Sequence, residues 1–335
     1  MSEEEKSELT KIPGIGSATA EKYEAAGFNT IASIAHSSSQ QLSDGLTITL
    51  AKAQQLINKA QNVMKQEQII IETGEDVKKF RDTVVKRIST GSKQLDRALG
   101  GGVQTDALSL FAGEFGTGKT QIANQLMVNC VLDLKRKTIF LETEPSTFSP
   151  DRLLEMSIKG RNQPISLAED IYAIRSDYLT SCNKIYNAYR MIENDLIMER
   201  GIDIGLIVVD SFTGPFRTEF LGRETLTDRG KEMARHIGYL QELSSKYNLA
   251  VVITGQVGGI PEPYGQGKAK RRTGIEHNIY GGDMFLHACT VQVSLAQTKG
   301  GKETEDEWEA YIFDAPDRPR QTAQFKLLPE GVRDL

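Results

Sequence analysis

Cysteine and histidine are scarce in this sequence. It has three cysteines in 335 residues, and none forms a Cys-x-x-Cys pair, so we expect free thiols in a reducing compartment rather than a disulfide framework. The four histidines lack the spacing of metal ligands, which argues against a zinc site. No apolar run approaches the length of a membrane span, and the acidic N-terminus is unlike a signal peptide. These absences predict a cytoplasmic protein without a membrane partner.

An excess of positive charge is also missing. The formal net charge is -5, so any contact with nucleic acid must come from local basic segments. Hydrophobic residues make up 39% and charged residues 25% of the chain, which is typical of a globular protein rather than a disordered one.

Residues 113–120 read GEFGTGKT and match the G-x-x-x-x-G-K-[S/T] pattern of phosphate-binding loops. The glycines allow a tight turn whose N–H groups, with the next helix N-terminus, bind phosphate oxygens. We expect Lys119 to reach the β and γ phosphates of ATP, and the Thr120 hydroxyl to bind Mg²⁺; a chance glycine-rich turn is the alternative. The predicted nucleotide-binding residues in this segment are Gly113, Glu114, Phe115, Gly116, Thr117, Gly118, Lys119, Thr120 and Gln121.

Three other apolar segments end in polar residues. Asp210 follows Leu-Ile-Val-Val and is predicted to hold Mg²⁺ at the carboxyl edge of a sheet, where ligands bind in open α/β folds. Glu144 is the predicted base that orients the attacking water, Glu142 is the second choice, and a helix-cap or solvent role is the third. Gln256 is predicted to contact the γ-phosphate, or else to be an ordinary strand-end residue.

The pattern predicts a helical module over residues 1–65, a polar linker over 66–86 and an α/β domain over 87–335. Near-continuous apolar strands favour a parallel sheet covered by helices on both faces. Predicted strands are 107–111, 138–141, 171–174, 206–209, 249–254, 291–295, 310–313 and 324–327. Predicted helices of the α/β domain are 120–133, 150–159, 180–200 and 229–247.

Two segments have features of backbone phosphate binding. Pro13-Gly14-Ile15-Gly16 matches the turn of a helix-hairpin-helix unit, in which Gly14 and Gly16 let N–H groups face a DNA phosphate. A plain helix–helix turn or a protein contact is the alternative. The long segment 257–282 has little periodicity and predicts a DNA-contacting loop, or else a solvated charged one. Its basic residues are Lys268, Lys270, Arg271 and Arg272.

The segment 215–230 carries three arginines, whose guanidinium forks match the phosphate oxygens of a DNA backbone. Arg223 and Arg229 are predicted to contact DNA. Arg217 is predicted equally to contact DNA or to pair with Glu219 or Glu224.

In this order, the motifs resemble those of archaeal RadA-type recombinases, the strand-exchange ATPases of the RecA-like class. The resemblance rests on PGIG at 13–16, RISTGS at 87–92, GEFGTGKTQ at 113–121, ETE at 142–144, VDS at 209–211, FRTEF at 216–220 and DAP at 314–316. It implies a RecA-like P-loop ATPase core with a small all-α helix-hairpin-helix domain. It also implies a helical filament or ring of identical subunits on single-stranded DNA, which exchanges strands with double-stranded DNA.

The resemblance assigns further roles. It makes Glu144 the catalytic base beside Lys119, and Gln256 the link between the γ-phosphate and the second DNA loop. Asp314 and Pro316 would cover ATP bound by the neighbouring subunit. Other recombinase-family proteins are implied as partners.

Four departures from the family pattern concern filament strength and DNA affinity. Ile71, followed by Gly74, stands where the linker usually offers an aromatic polymerisation anchor and a small residue. Asp283 replaces a common histidine, Gly255 replaces asparagine, and the segment 299–307 is acidic. These departures leave open an alternative function, a recombinase paralog that binds ATP and loads the main recombinase. A RecA-like ATPase that does not bind DNA is a second alternative.

Overall fold

The computed structural model of the chain divides into two compact units, Met1–Lys79 and Phe80–Leu335. The residues that the structure describes are 7–35, 37–67, 71, 73–222, 224–258, 278–279, 282–298 and 307–335. Within them, no helix has both the length and the apolar character needed to cross a membrane. All three cysteines are free and buried.

The first unit is helical and has its own core. After a short 3₁₀ turn, its helices are α1 (Ser17–Ala25), α2 (Ile31–Ala35), α3 (Ser39–Leu46), α4 (Leu50–Glu67) and the start of α5 (Gly74–Val84). Apolar positions of α4 recur at helical spacing, so Leu56, Ile57 and Ala60 face the same buried cluster as Leu9 and Leu42. A capping box at Ser38 fixes the beginning of α3.

The predicted linker over 66–86 contains a helix. Helix α5 follows Thr73, whose hydroxyl accepts a hydrogen bond from the Asp76 N–H at 3.2 Å. An ion pair of 2.7 Å between Glu75 and Lys79 supports its exposed surface. The polar composition that suggested a linker therefore belongs to a helix without buried residues.

The second unit is built on a large mixed sheet. Its strands and a small ribbon are β1 (Arg87–Ile88), β2 (Val103–Gln104), β3 (Ala107–Gly113), β4 (Lys137–Glu142), β5 (Ile171–Ile174), β6 (Ile204–Asp210), β7 (Ala250–Gly258), β8 (Asn278–Ile279), β9 (Val291–Gln297), β10 (Glu307–Asp314), β11 (Gln321–Leu328) and β12 (Gly331–Arg333). The order of the main sheet is β12-β11-β10-β9-β3-β7-β6-β4-β5, and β8 pairs with β7.

Helices cover the sheet on both sides. Those of the second unit are the end of α5, then α6 (Lys93–Ala98), α7 (Lys119–Asn129), α8 (Pro150–Arg161), α9 (Cys182–Met191), α10 (Thr213–Glu219), α11 (Leu226–Tyr247) and α12 (Gly282–His287). Neighbouring residues of a strand point to opposite faces, so Phe111 packs in one core with Ile122 of α7, and Leu110 in the other with Leu240 of α11. The all-apolar strands are explained by this double burial.

The prediction of a parallel sheet holds only for part of it. Strands β9, β3, β7, β6, β4 and β5 are parallel neighbours, whereas β10, β11 and β12 add an antiparallel flank. The strands of this flank pair with the strand that precedes or follows them in the chain, and antiparallel neighbours need no crossover helix. Two predicted helices are also shorter than expected, because α7 and α9 each continue as a π-helical segment, Cys130–Leu134 and Ile192–Glu199.

Candidate nucleotide-binding site

The phosphate-loop motif lies between β3 and α7, at the carboxyl edge of the parallel strands. Gly118 has a φ of 86° and precedes the first residue of α7, so the helix N-terminus opens onto the loop. A Cβ at Gly113 would lie 2.5 Å from Thr117 Oγ1 and 2.6 Å from the Leu295 carbonyl oxygen. Phe115 at the loop tip is fully exposed. The local fold therefore provides a cradle with a free approach from solvent.

Lys119 is folded back on its own loop. Its ammonium donates to the carbonyl oxygens of Gly113 at 2.9 Å and Glu114 at 2.7 Å. Burial lowers the pKa of Lys119, while the nearby carboxylates of Asp210 and Glu144 oppose that shift. A phosphate in the cradle would add negative charge where the desolvated ammonium already lies.

Asp210 ends β6 and is almost fully buried. Its carboxylate accepts a hydrogen bond from Thr120 Oγ1 at 2.6 Å and another from Thr254 Oγ1 of β7. Burial raises the pKa of Asp210, and the two hydroxyl donors partly offset that effect. The hydroxyl and the carboxylate are the oxygen donors that Mg²⁺ prefers, and Mg²⁺ commonly binds through few protein ligands plus substrate phosphates. The described residues contain no cluster of three or more His, Cys, Asp or Glu side chains that could form an all-protein metal site.

Glu144 and Glu142 have different surroundings. Glu144 Oε1 accepts hydrogen bonds from Ser211 Oγ at 2.9 Å and Gln256 Nε2 at 2.9 Å. Glu142 instead accepts from the backbone N–H groups of Phe148 at 3.2 Å and Ser176 at 3.3 Å. Glu142 therefore holds two loops together, whereas Glu144 lies with the side chains that follow β6 and β7.

Arg217 of α10 contacts Gln256. Its guanidinium donates to Gln256 Oε1, whose amide nitrogen donates in turn to Glu144. Glu219, one of the predicted partners of Arg217, accepts from the Cys182 backbone N–H at 2.7 Å. A continuous chain of side-chain hydrogen bonds thus connects Glu144 to the arginine-bearing segment 215–230.

The remaining predicted nucleic-acid contacts are more dispersed. Arg229 lies in the first turns of α11. Gly14, with a φ of 90°, forms the turn before α1, and Gly16 is the N-cap of that helix. Arg223 and the basic residues Lys268, Lys270, Arg271 and Arg272 lie outside the described residues.

Asp314 and Pro316 lie away from the phosphate loop of their own chain. Strand β10 runs antiparallel to β9, so Asp314 is beside Gln292 near the beginning of β9, whereas Gly113 pairs near its end with Leu295. The Gln292 amide donates to Asp314 at 3.0 Å. Pro316 lines a cavity at the amino-terminal ends of β3 and β9. This segment faces the opposite edge of the sheet.

Ile71 is 95% exposed, and Gly74 is the first residue of α5. An isoleucine with so little burial makes almost no contribution to the fold of its own chain, because hydrophobic stabilisation scales with buried apolar area.

Sequence reasoning missed three residues of the site. Thr254 donates a hydrogen bond to Asp210, and Ser211 donates one to Glu144. Arg152 donates to Gln121 Oε1 at 2.8 Å. The signal for Thr254 and Ser211 was present, since both lie at the carboxyl end of a predicted strand. Arg152 had no such signal, because its contact depends on the packing of α8 beside α7.

A phosphate loop between a parallel strand and a helix, with an acid on another strand end, defines an α/β P-loop nucleotide-binding protein. A family profile described as Rad51 matches residues 80–335, and a SAM-like helix-hairpin-helix tandem profile matches residues 6–62. The chain is also similar to the "DNA repair and recombination protein RadA" of Aeropyrum pernix, with 34% identity over 98% of this chain and 97% of the relative. The chain therefore belongs to the Rad51 family, as the resemblance of its motifs to RadA-type recombinases predicted.

Proposed function

We propose that this protein is a DNA-dependent ATPase that assembles on single-stranded DNA and exchanges strands with homologous double-stranded DNA. The observation that carries the proposal is the hydrogen-bond chain from Glu144 through Gln256 to Arg217, joined to a complete phosphate loop. It connects the residue best placed to orient water with the segment best suited to contact a DNA backbone. Activity on chromosomal DNA would place the protein in the cytoplasm.

Nucleotide binding begins with Lys119. Its ammonium would leave the carbonyl oxygens of Gly113 and Glu114 and bind phosphate oxygens of ATP, while loop N–H groups bind the remaining ones. Thr120 and Asp210 would hold Mg²⁺. When bound, Mg²⁺ supplies positive charge that stabilises the transferred phosphoryl group.

Glu144 would orient and deprotonate the attacking water. Its carboxylate is held by Ser211 and Gln256, so its direction is fixed before the nucleotide binds. Glu142 is unsuited to this role, because its two oxygens are occupied by backbone and hydroxyl donors of two loops.

DNA would act on this arrangement through Arg217. A DNA phosphate is a stronger acceptor for a guanidinium than a neutral amide oxygen, so DNA would draw Arg217 away from Gln256. Gln256 would then be released to contact the γ-phosphate and to change the position of Glu144. The same chain would report loss of the γ-phosphate back to the DNA-contacting segment.

Assembly would use two surfaces. Because Asp314 and Pro316 lie toward the edge opposite the phosphate loop, they can cover a nucleotide only in another subunit, which requires a head-to-tail contact. Ile71 would be the anchor of the same assembly. Neither of the comparisons favours the mediator alternative.

The proposal is tested with ATPase and D-loop assays on the purified protein. We expect single-stranded DNA to stimulate hydrolysis, and D-loop formation to require ATP. Arg217→Gln should keep ATP binding and lose most of the stimulation, whereas Arg190→Gln, an exposed arginine on α9, should behave as wild type. DNA occupancy that is identical with and without ATP would overturn the recombinase function.

A further inference from the structure

A cavity lies in the unit that carries the ATPase site, at the edge of the sheet opposite the phosphate loop. Its volume is about 80 Å³, and it lies among the β1–β2 ribbon, the beginnings of β3 and β9, and the segment after β10. Its walls are mixed, with apolar residues such as Leu99 and Val103 beside three arginines, Arg81, Arg87 and Arg318. Because cationic side chains meet in an enclosed space, the cavity is a candidate site for an anion.

Arg318 is the most constrained of the three. Its side chain is 10% exposed, and its Nε and Nη2 atoms donate to Asp317 at 2.7 Å and 2.5 Å. Its Nη1 atom is buried and has no hydrogen-bond partner among the described residues. A buried cationic donor without an acceptor costs free energy. We therefore expect the Arg318 side chain to gain a further acceptor in solution.

Arg87 lacks a close anionic partner. Its guanidinium reaches the Leu99 carbonyl at 3.3 Å, the Gly102 carbonyl at 3.5 Å and Gln104 Oε1 at 3.2 Å, all of them neutral acceptors. Burial lowers the pKa of Arg87, and the positive charge of Arg318 lowers it further. The nearest carboxylate is that of Asp317, 3.9 Å away, and Asp317 is already paired with Arg318.

The charges around the cavity therefore do not balance. Arg87 and Arg318 share the Asp317 carboxylate, and Arg81 lies on the same wall. The other acid on the wall, Asp106, accepts a hydrogen bond from Ser245 at 2.6 Å. A compact anion with several acceptor oxygens would balance the charge of the arginines that line the cavity and offset the repulsion between Arg87 and Arg318. Arginine forks match the geometry of carboxylate and phosphate oxygens, and phosphate offers acceptor oxygens to more than one arginine at once.

We propose that the cavity lined by Arg81, Arg87 and Arg318 is a binding site for a phosphate-type oxyanion, separate from the phosphate loop. The ligand is either free phosphate or a phosphate group of a nucleic acid. Binding of the oxyanion does not depend on the ATPase or strand-exchange proposal, because the residues involved lie at the other edge of the sheet. Only its effect on the segment after β10 rests on that proposal.

Occupancy of the cavity would affect the segment after β10. Pro316 and Asp317 also line the cavity, and Pro316 is the residue expected to cover the nucleotide of a neighbouring subunit. A bound oxyanion would hold Arg318 and Arg87 in place and so fix Pro316. The site would then adjust the cap that one subunit presents to the next.

The test uses the full chain with Lys119→Ala, so that the phosphate loop loses its cationic ligand and binds phosphate more weakly. Inorganic phosphate is titrated by calorimetry at constant ionic strength maintained with chloride. We expect binding at one site, and adding Arg87→Gln should weaken it at least tenfold. Arg97→Gln, an exposed arginine on α6 outside the cavity, is the matched control and should leave the affinity unchanged.

The Asp317→Asn variant is an independent check, because it should raise the affinity for phosphate rather than lower it. It removes the carboxylate that competes for the two arginines, so phosphate should bind several-fold more tightly. Arg318→Met is a third variant, but loss of a buried ion pair can prevent folding, so the decision rests on Arg87 and Asp317. The inference is wrong if phosphate does not bind, or if neither Arg87→Gln nor Asp317→Asn changes the affinity.

The source of the phosphate is decided by competition. An oligo-dT strand is titrated into the same Lys119→Ala protein with and without inorganic phosphate, and with Arg87→Gln. If phosphate and Arg87→Gln both weaken DNA binding, the natural ligand is a DNA phosphate. If neither does while phosphate itself still binds, the ligand is free phosphate, and the oxyanion site stands in both cases.

Discussion

Glu142 and Glu144 follow the same strand, only two residues apart, yet their surroundings give them different tasks. Glu142 is 7% exposed and accepts from two backbone N–H groups, which fixes loops around the site. Glu144 is bound only by side chains of the site that the structure describes, Ser211 and Gln256. The sequence placed both acids at a strand end, and burial with hydrogen-bond partners distinguishes them.

Glu144→Gln should bind ATP with near wild-type affinity and hydrolyse it at least ~100-fold more slowly, because the amide cannot accept a proton from water. Glu142→Gln should keep most of the rate and lower the melting temperature, since a weaker acceptor then faces two backbone donors. Steady-state phosphate release and thermal unfolding measure both effects. A normal rate in Glu144→Gln would transfer the base role to Glu142.

His236 predicts a pH dependence of stability. Its side chain is fully buried among aromatic rings, and burial lowers its pKa to about 4. Because the folded pKa lies below that of the unfolded chain, near 6.5, the unfolded state takes up the proton first as pH falls. The stabilisation is therefore complete above pH 6.5 and is lost as pH falls from 6.5 toward 4.

His236→Leu should remove this dependence. Between pH 7 and pH 5, the wild type should lose about 2 kcal/mol more unfolding free energy than the variant, from the shift at this one group. Denaturant unfolding followed by the fluorescence of Trp308, the single tryptophan, measures it. Equal slopes with pH in the two proteins would show that the pKa of His236 is the same in the folded and unfolded states.

At the scale of elements, two glycines of the phosphate loop are required for different physical reasons. A Cβ at Gly113 would collide with Thr117 and the Leu295 carbonyl, whereas a Cβ at Gly116 would meet nothing within 4 Å. Gly116 needs glycine for a different reason, its φ of 80°. One position is limited by close packing between β3 and β9, and the other by local conformation.

Gly113→Ala should therefore weaken nucleotide binding at least tenfold and lower the melting temperature, because backbone must move. Gly116→Ala should have the smaller effect, of about 1–2 kcal/mol, from the left-handed conformation alone. A fluorescent ATP analogue and thermal unfolding compare the two variants. Equal losses would mean that the contact between the loop and β9 does not limit the site.

Elements with a clear apolar pattern were predictable, and elements without one were not. The strands at 171–174 and 206–209 are apolar runs, and the helix at 150–159 has an apolar period, so their prediction was close. Helix α3 and the ribbon β1–β2 are too short to show a period. Helix α5 had only capping and charge signals, because it buries no side chain.

At the scale of the whole molecule, the expected assembly depends on surfaces that the isolated chain does not use. Ile71→Glu should keep the protein small in the presence of ATP and single-stranded DNA, because a charge replaces the apolar anchor. Ile158→Glu, at an exposed isoleucine of α8, is the control and should assemble as wild type. Analytical ultracentrifugation measures both, and normal assembly of Ile71→Glu would remove Ile71 from the interface.

The sequence by itself determined the phosphate loop, the strands that bring Asp210, Glu144 and Gln256 to one edge of the sheet, and the helical module before them. These features depend on residues close together in the chain, where spacing and periodicity are visible. Only the tertiary structure decided the antiparallel flank, the different hydrogen-bond partners of Glu144 and Glu142, the link to Arg217 and the arginine-lined cavity. Each of these depends on contacts between distant segments, such as the 112 residues that separate Glu144 from Gln256, and local patterns carry no information about such contacts.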